Sequence, residues 1–360
     1  MTRLRQAQSR HRAPTHRRHH EASHIGPARA HGAKPLARAT RPRDALIAMP
    51  HIQTQSFALP HGIGLSCRVA GQPGRPVLMF LHGFPEAAFV WDRLLEHFSE
   101  PAHGAYFCIA PNLRGYIGSS APAEVSAYHP RHLVADIVAL TQALGQQPLA
   151  ALVAHDWGGA IAWNLAAQHP ECLSRLVVLN APHPAAFARE LAHSPAQQEA
   201  SAYMHFLARP DAPSRLAEQD FKRLWALFDG MGASNGPLAW LNEAGRERYR
   251  EVWRAGLSGP CAYYAATTLK PPAGLSPAKV AGSSDRLGRV RLPTQLIWGM
   301  NDTALLPGLL DGLAQWVPQL ELHQVSQASH WIVHEQPGLV IERITEFLAK
   351  PAKPLAAGDQ

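Results

Sequence analysis

The sequence predicts an α/β protein, a mostly parallel sheet with helices on both faces and one helical segment inserted into it. Three observations carry this. Short continuous apolar runs, Pro76–Leu81, Leu149–Ala154 and Leu173–Leu179, have the character of strands covered on both faces. They alternate with stretches whose apolar residues recur at helical spacing, as do Leu133, Ile137, Leu140 and Leu144. From Ala185 to Leu287 this rhythm stops, and the chain becomes helix-like and rich in Trp, Tyr and Phe, without buried-strand runs.

The chain opens with residues 1–48, rich in Arg, His, Ala and Pro and almost free of branched apolar residues. Such a segment buries too little apolar surface to offset its ordering entropy, so it reads as a disordered basic extension. Three origins remain open for it. It is a tail preceding the true start at Met49, a solvated basic arm, or an Arg-rich targeting peptide. It has no apolar core of the secretory kind. Of the 34 basic and 27 acidic residues in the chain, 11 and 2 lie here, which leaves 23 and 25 in the remainder. The net charge of +7 therefore belongs to the extension, and the body offers no basis for binding nucleic acid.

Thr54–Leu59 and Gly64–Ala70 flank the turn cluster Pro60-His61-Gly62 and read as a hairpin. The strand Pro76–Leu81 runs into His82-Gly83-Phe84-Pro85-Glu86, followed by a helix over 87–98. Strand Tyr106–Ala110 leads to Pro111-Asn112-Leu113-Arg114-Gly115-Tyr116, and a helix spans Arg131–Leu144, stopped by Gly145. Next come the strand ending at Ala154, a helix ended by Pro170, and the strand Leu173–Leu179, broken by Asn180-Ala181-Pro182-His183-Pro184. After the insertion, strands return at Thr294–Gly299 and Leu320–Val325, and a helix over 338–348 closes the body. The expected division is thus 1–48 extension, 49–184 with 288–350 as the core, 185–287 as a helical cap, and 351–360 as a frayed tail. There are no internal repeats. No run of about eighteen apolar residues occurs, so no membrane span is expected. The four cysteines, Cys67, Cys108, Cys172 and Cys261, are scattered without metal-ligand spacing, which fits a reduced, cytoplasmic protein.

Chemistry collects at the ends of strands, where ligands sit in folds of this kind. Ala154-x-Asp156-x-Gly158 is small-x-polar-x-small between a strand and a helix, the pattern of a sharp turn that thrusts its central side chain outward. In isolation Asp156 reads first as a plain helix N-cap. However, Asp302 follows the strand ending at Gly299, and His330 follows the last strand. Nucleophile, acid and histidine after three separate strand ends is an ordered set.

On His82-Gly83-Phe84-Pro85-Glu86, His155-Asp156-Trp157-Gly158-Gly159, Asp302 and His330, the chain from Met49 to Lys350 resembles the α/β-hydrolase superfamily. It is most similar to the branch of soluble epoxide hydrolases, haloalkane dehalogenases and fluoroacetate dehalogenases, whose nucleophile is Asp. The resemblance implies a cap over the site, no metal and no cofactor. It also implies Asp156 as nucleophile, His330 as base oriented by Asp302, and backbone N–H groups of Phe84 and Trp157 as oxyanion hole. His82, Gly83 and Pro85 shape the loop, Pro85 through a cis bond. Glu86 reads as a helix-starting acid. A carboxylate suits attack at saturated carbon because it forms an ester that water can then cleave.

The leaving group separates the activities. Epoxide hydrolases use two tyrosines as proton donors. Gly259-Pro260-Cys261-Ala262-Tyr263-Tyr264 resembles the segment bearing one of them, aligned with Tyr264. The other aligns with Phe206, a departure that leaves His205 or Tyr203 as alternatives. A haloalkane dehalogenase commonly carries Asn where Phe84 stands, and a haloacid dehalogenase carries arginines beside the nucleophile, for which Arg114 is the single candidate. Opening of an epoxide on a small apolar substrate, with water as co-substrate, is therefore the expected activity. Dehalogenation with the same machinery, or ligand binding without catalysis, are the alternatives. The protein is expected to be a monomer or homodimer.

Overall fold

The computed structural model describes residues 51–145, 148–232, 240–272 and 288–351. The expectations for the N-terminal extension, for the tail beyond Pro351, and for 233–239 and 273–287 of the insertion lie outside these residues.

The expected hairpin forms from β1 (Gln53–Ala58) and β2 (Gly64–Ala70), antiparallel and in register from Gln53 opposite Val69 to Ala58 opposite Gly64. The core strands follow as β3 (Val77–Leu81), β4 (Phe107–Pro111), β5 (Ala151–His155), β6 (Leu176–Leu179), β7 (Thr294–Gly299) and β8 (Leu320–Val325). Every residue of β3 to β7 is buried, the reason these segments are apolar without alternation. The sheet has the order β1-β2-β4-β3-β5-β6-β7-β8. Only the β1–β2 and β2–β4 pairs are antiparallel.

Strand order places the helices. The step from β3 to β4 runs one way along the sheet, and the steps from β4 to β5 and onward run the other way. Right-handed crossovers then put α1 (Asp92–Ser99) on one face and α2 (Pro130–Ala143) and α3 (Asp156–Gln168) on the other. The closing helix α11 (Pro337–Ala349), which follows the short α10 (Ile332–Glu335), packs against α1. The helix expected over 87–98 begins as a 3₁₀ turn, Ala88–Trp91, which buries Trp91 before α1 starts. The reversal between β3 and β5 is a topological switch point, where the carboxyl ends of the strands open a crevice.

Between β6 and β7 the described chain is helical: α4 (Pro184–His193), α5 (Pro195–Ala200), α6 (Tyr203–Leu207), α7 (Ala212–Gly232), α8 (Glu243–Arg254) and α9 (Ser258–Ala266). α7 is two helical pieces around a left-handed turn at Gln219, Asp220 and Phe221, with φ of 52°, 53° and 59°. The aromatic content of this insertion is largely packing. Phe228 and Trp253 are buried, and Phe228 stacks on Trp331 of the core with centroids 4.3 Å apart. Among the described residues no helix is long and apolar enough to cross a membrane, and all four cysteines are free and buried.

Candidate active site

β5 delivers Asp156 to the switch point. The chain turns from strand into α3 in one residue, and Asp156 takes φ 49°, a region that L residues other than glycine rarely adopt. The turn is tight enough to dictate its neighbours. A Cβ at Gly83 would overlap the Asp156 side chain, one at Gly158 would strike the Leu81 carbonyl, and one at Gly159 would strike Ala181. This is the physical content of the small-x-Asp-x-small pattern, and it exposes the carboxylate at the positive end of α3.

Two further strand ends converge on it. His330, after β8, directs Nδ1 to Asp302 Oδ2 at 2.8 Å, and its Nε2 lies 3.8 Å from Asp156 Oδ2. Asp302, after β7, is held on both oxygens. Oδ1 accepts from Ala304 and Leu305 N–H, each at 2.9 Å, and Oδ2 accepts from Asn180 Nδ2 at 2.8 Å. Asn180, directly after β6, also accepts from Gly299 N–H at 2.8 Å, which ties the Asp302 loop to the neighbouring strand. Sequence reasoning read Asn180 only as a strand breaker; its place after a buried strand was the available signal. Burial works against a charged His330, but Asp302 and then Asp156 outweigh it and push the imidazole up to about 9.

The loop after β3 closes the other side. Phe84–Pro85 is a cis peptide, and Phe84 N–H donates to Asp156 Oδ1 at 2.7 Å. Trp157 N–H belongs to the first turn of α3, where the helix supplies no acceptor of its own. His82 is buried beneath the loop. Its Nδ1 lies 2.9 Å from Gly83 O, and its Nε2 accepts from Leu113 N–H at 3.1 Å. Desolvation lowers His82 to about 4, so it is a neutral brace between two loops. Glu86 is expected as a helix-starting acid, and the structure gives it buried side-chain partners instead. It is fully buried, and Oε1 accepts from Tyr249 Oη at 2.7 Å and lies 2.6 Å from His334 Nε2, while Oε2 is 3.3 Å from His155 Nδ1. His155 in turn pairs with the His330 carbonyl through Nε2 at 2.9 Å.

Asp156 opens into a cavity whose walls include Trp157, Tyr203 and Tyr264. The two tyrosine rings meet edge-on with centroids 6.1 Å apart, and Tyr264 also packs edge-on against Phe84 and Trp157, each at 5.1 Å. Burial raises both phenols well above their ordinary range, helped at Tyr203 by the Asp156 charge and at Tyr264 by Tyr203 and then Asp156, so both remain protonated donors. The three neighbours on α6 take different places. Tyr203 lines the cavity. His205, the other donor candidate, is exposed and is not among the residues that line it. Phe206 faces a separate cavity behind Tyr203, under Arg223. The packing reason is that Met204 and Leu207 are buried, which fixes the rotation of the short helix. Arg114 does not serve as a carboxylate clamp either. It is buried and donates through Nε and Nη2 to Asp136 and through Nη1 to the Ala127 carbonyl.

With this geometry in place the likenesses are specific. Residues 76–337 match the family of the alpha/beta hydrolase fold. The AB hydrolase superfamily protein YfhM of Bacillus subtilis is 31% identical, over 81% of this chain and 96% of its own length. Epoxide hydrolase 4 of Mus musculus is 31% identical, over 91% of this chain and 88% of that protein. The crystal structure of a Bacillus megaterium epoxide hydrolase in complex with an inhibitor superposes with a TM-score of 0.71 at 30% identity, covering 82% of this chain and 100% of that one. The chain belongs to the α/β-hydrolase family. Within it, this is an epoxide-hydrolase-like enzyme.

Proposed function

We propose that the protein opens an epoxide to a vicinal diol through a covalent ester on Asp156. The observation that carries this reading is the pairing of one carboxylate with two phenols, that of the buried Tyr264 and that of the half-buried Tyr203. Tyr203 and Tyr264 line the same cavity as Asp156, opposite a His330–Asp302 pair. Asp156 attacks an sp³ carbon of the epoxide. The C–O bond breaks, and Tyr203 and Tyr264 donate to the departing oxygen, which would otherwise leave as an alkoxide.

The ester removes the negative charge of Asp156. His330 then faces one carboxylate rather than two, and its proton is held less firmly. It becomes a base when a base is required, taking a proton from water that attacks the ester carbonyl. Backbone N–H groups of Phe84 and Trp157 hold the tetrahedral oxyanion. Its collapse breaks the ester C–O bond, the leaving diol oxygen takes the proton held by His330, and the proton of the added hydroxyl returns to the tyrosinate, which restores Asp156 and both phenols and releases the diol. The described helices α4 to α9 act as the cap that brings the tyrosines over the nucleophile. Haloacid chemistry finds no support, because Arg114 is committed to Asp136.

A single turnover in ¹⁸O-labelled water, with enzyme in excess over styrene oxide, tests the reading. The covalent route gives diol without the label, because the added oxygen comes from Asp156, and the label then appears in the Asp156 peptide. Label in the first-turnover diol contradicts it.

A further inference from the structure

The cavity has a direction. From Asp156 it follows one face of α3, past Ala160 and Ile161 to Asn164. Eight residues of helix advance about 12 Å, so Asn164 stands two turns beyond the nucleophile. The opposite wall is apolar, with Leu133, Phe187 and Leu269 among its residues. On the side of Tyr203 the slot ends. The cavity behind that ring has only Tyr203 in common with it.

Asn164 is the polar side chain at the far end of α3 in this slot. Its Nδ2 donates to the Ala160 carbonyl at 2.8 Å, which fixes the amide and leaves Oδ1, with only a 3.4 Å contact to Gln168, as an acceptor for a ligand. Thr267 also lines the slot; its Oγ1 accepts from Leu269 N–H at 3.1 Å, so its hydroxyl hydrogen is available to donate.

We infer that the substrate is an epoxide bearing one linear, mainly apolar arm that lies along α3, and that Asn164 reads a hydrogen-bonding group at the arm's far end. This rests on the epoxide-opening reading above. An extended chain advances roughly 1.2 Å per bond, so about ten bonds fill the distance from Asp156 to Asn164.

The test measures kcat/KM on 1,2-epoxyalkanes from butane to dodecane, with styrene oxide as a short reference, and on the omega-hydroxy counterpart of 1,2-epoxydecane. kcat/KM should rise by roughly threefold to fourfold per methylene, mainly through KM, until the slot is filled, and then flatten. The omega-hydroxy substrate should be preferred by the native protein over an alkyl arm of equal length. Asn164→Leu, verified as folded by an unchanged Tm, should reverse that preference. Turnover of styrene oxide with no dependence on arm length overturns the slot assignment. An unreversed preference in folded Asn164→Leu overturns the role of Asn164. Failure to turn over any epoxide, styrene oxide included, removes the reading beneath the inference and is distinguishable from both.

Discussion

His330 shows how two carboxylates set the timing of one imidazole. Burial lowers it, yet Asp302 and Asp156 carry it from 6.5 to about 9. The sign follows. The raised value stabilises the fold fully below pH 6.5, and that contribution is lost as pH rises through about 9. NMR titration of the His330 ring in the free protein should give a midpoint near 9, and Asp156→Asn should move it downward, the effect we propose for the ester on Asp156. A native midpoint at or below 6.5 contradicts this electrostatic picture. The tyrosines make a second residue-scale prediction. Tyr203→Phe and Tyr264→Phe should each slow ester formation by about 10²-fold or more in rapid-quench measurements, with His205→Ala unchanged. An equal loss in His205→Ala contradicts the assignment of α6. The choice among Tyr203, His205 and Phe206 was not legible in the sequence. Successive helix residues point about 100° apart, and the phase of a five-residue helix is set by where Met204 and Leu207 pack. Glu86 was misread for a related reason. Its partners Tyr249 and His334 lie 163 and 248 positions away.

At the scale of elements, the strand–turn–helix at Asp156 was legible because its sterics are local. Small residues must flank a turn in which neighbouring backbones touch, and Gly158 faces the Leu81 carbonyl directly. Gly158→Ala should therefore slow ester formation and lower Tm together, since a backbone neighbour has no rotamer with which to yield. The loop after β4 depends instead on a buried ion pair. Arg114 and Asp136 are 5% and 2% exposed. Asp136→Asn leaves the guanidinium without a counter-charge and should destabilise the fold by about 3–5 kcal/mol in denaturant titration. A loss below about 1 kcal/mol contradicts a dry ion pair at that site. The left-handed turn within α7 had little sequence signal, since Asp220 tolerates that backbone but the flanking Gln219 and Phe221 do not favour it. Packing of Phe221 against Trp253 and the pairing of Asp220 with Arg250 hold it in place.

For the whole molecule, the candidate site is assembled from the ends of β3, β5, β6, β7 and β8, and residues of the inserted helices, Phe187, Tyr203 and Tyr264 among them, line its cavity. The parallel core was readable because a strand buried on both faces must be apolar throughout, and the order of Asp156, Asp302 and His330 was readable because each follows a strand end, the first two after fully buried strands and His330 after the partly exposed edge strand β8. The cavity's direction was not, because it depends on how α2, α4 and α9 pack beside α3. The central claim, a covalent cycle on Asp156, is tested most directly by intact mass spectrometry of His330→Gln incubated with styrene oxide, a bromoalkane and a haloacetate. Ester formation should survive this change while hydrolysis stalls. The account predicts a mass gain equal to the whole epoxide, mapped to the peptide that holds Asp156. Adducts from the halide substrates alone, an adduct on another residue, or no adduct from a folded variant would contradict it.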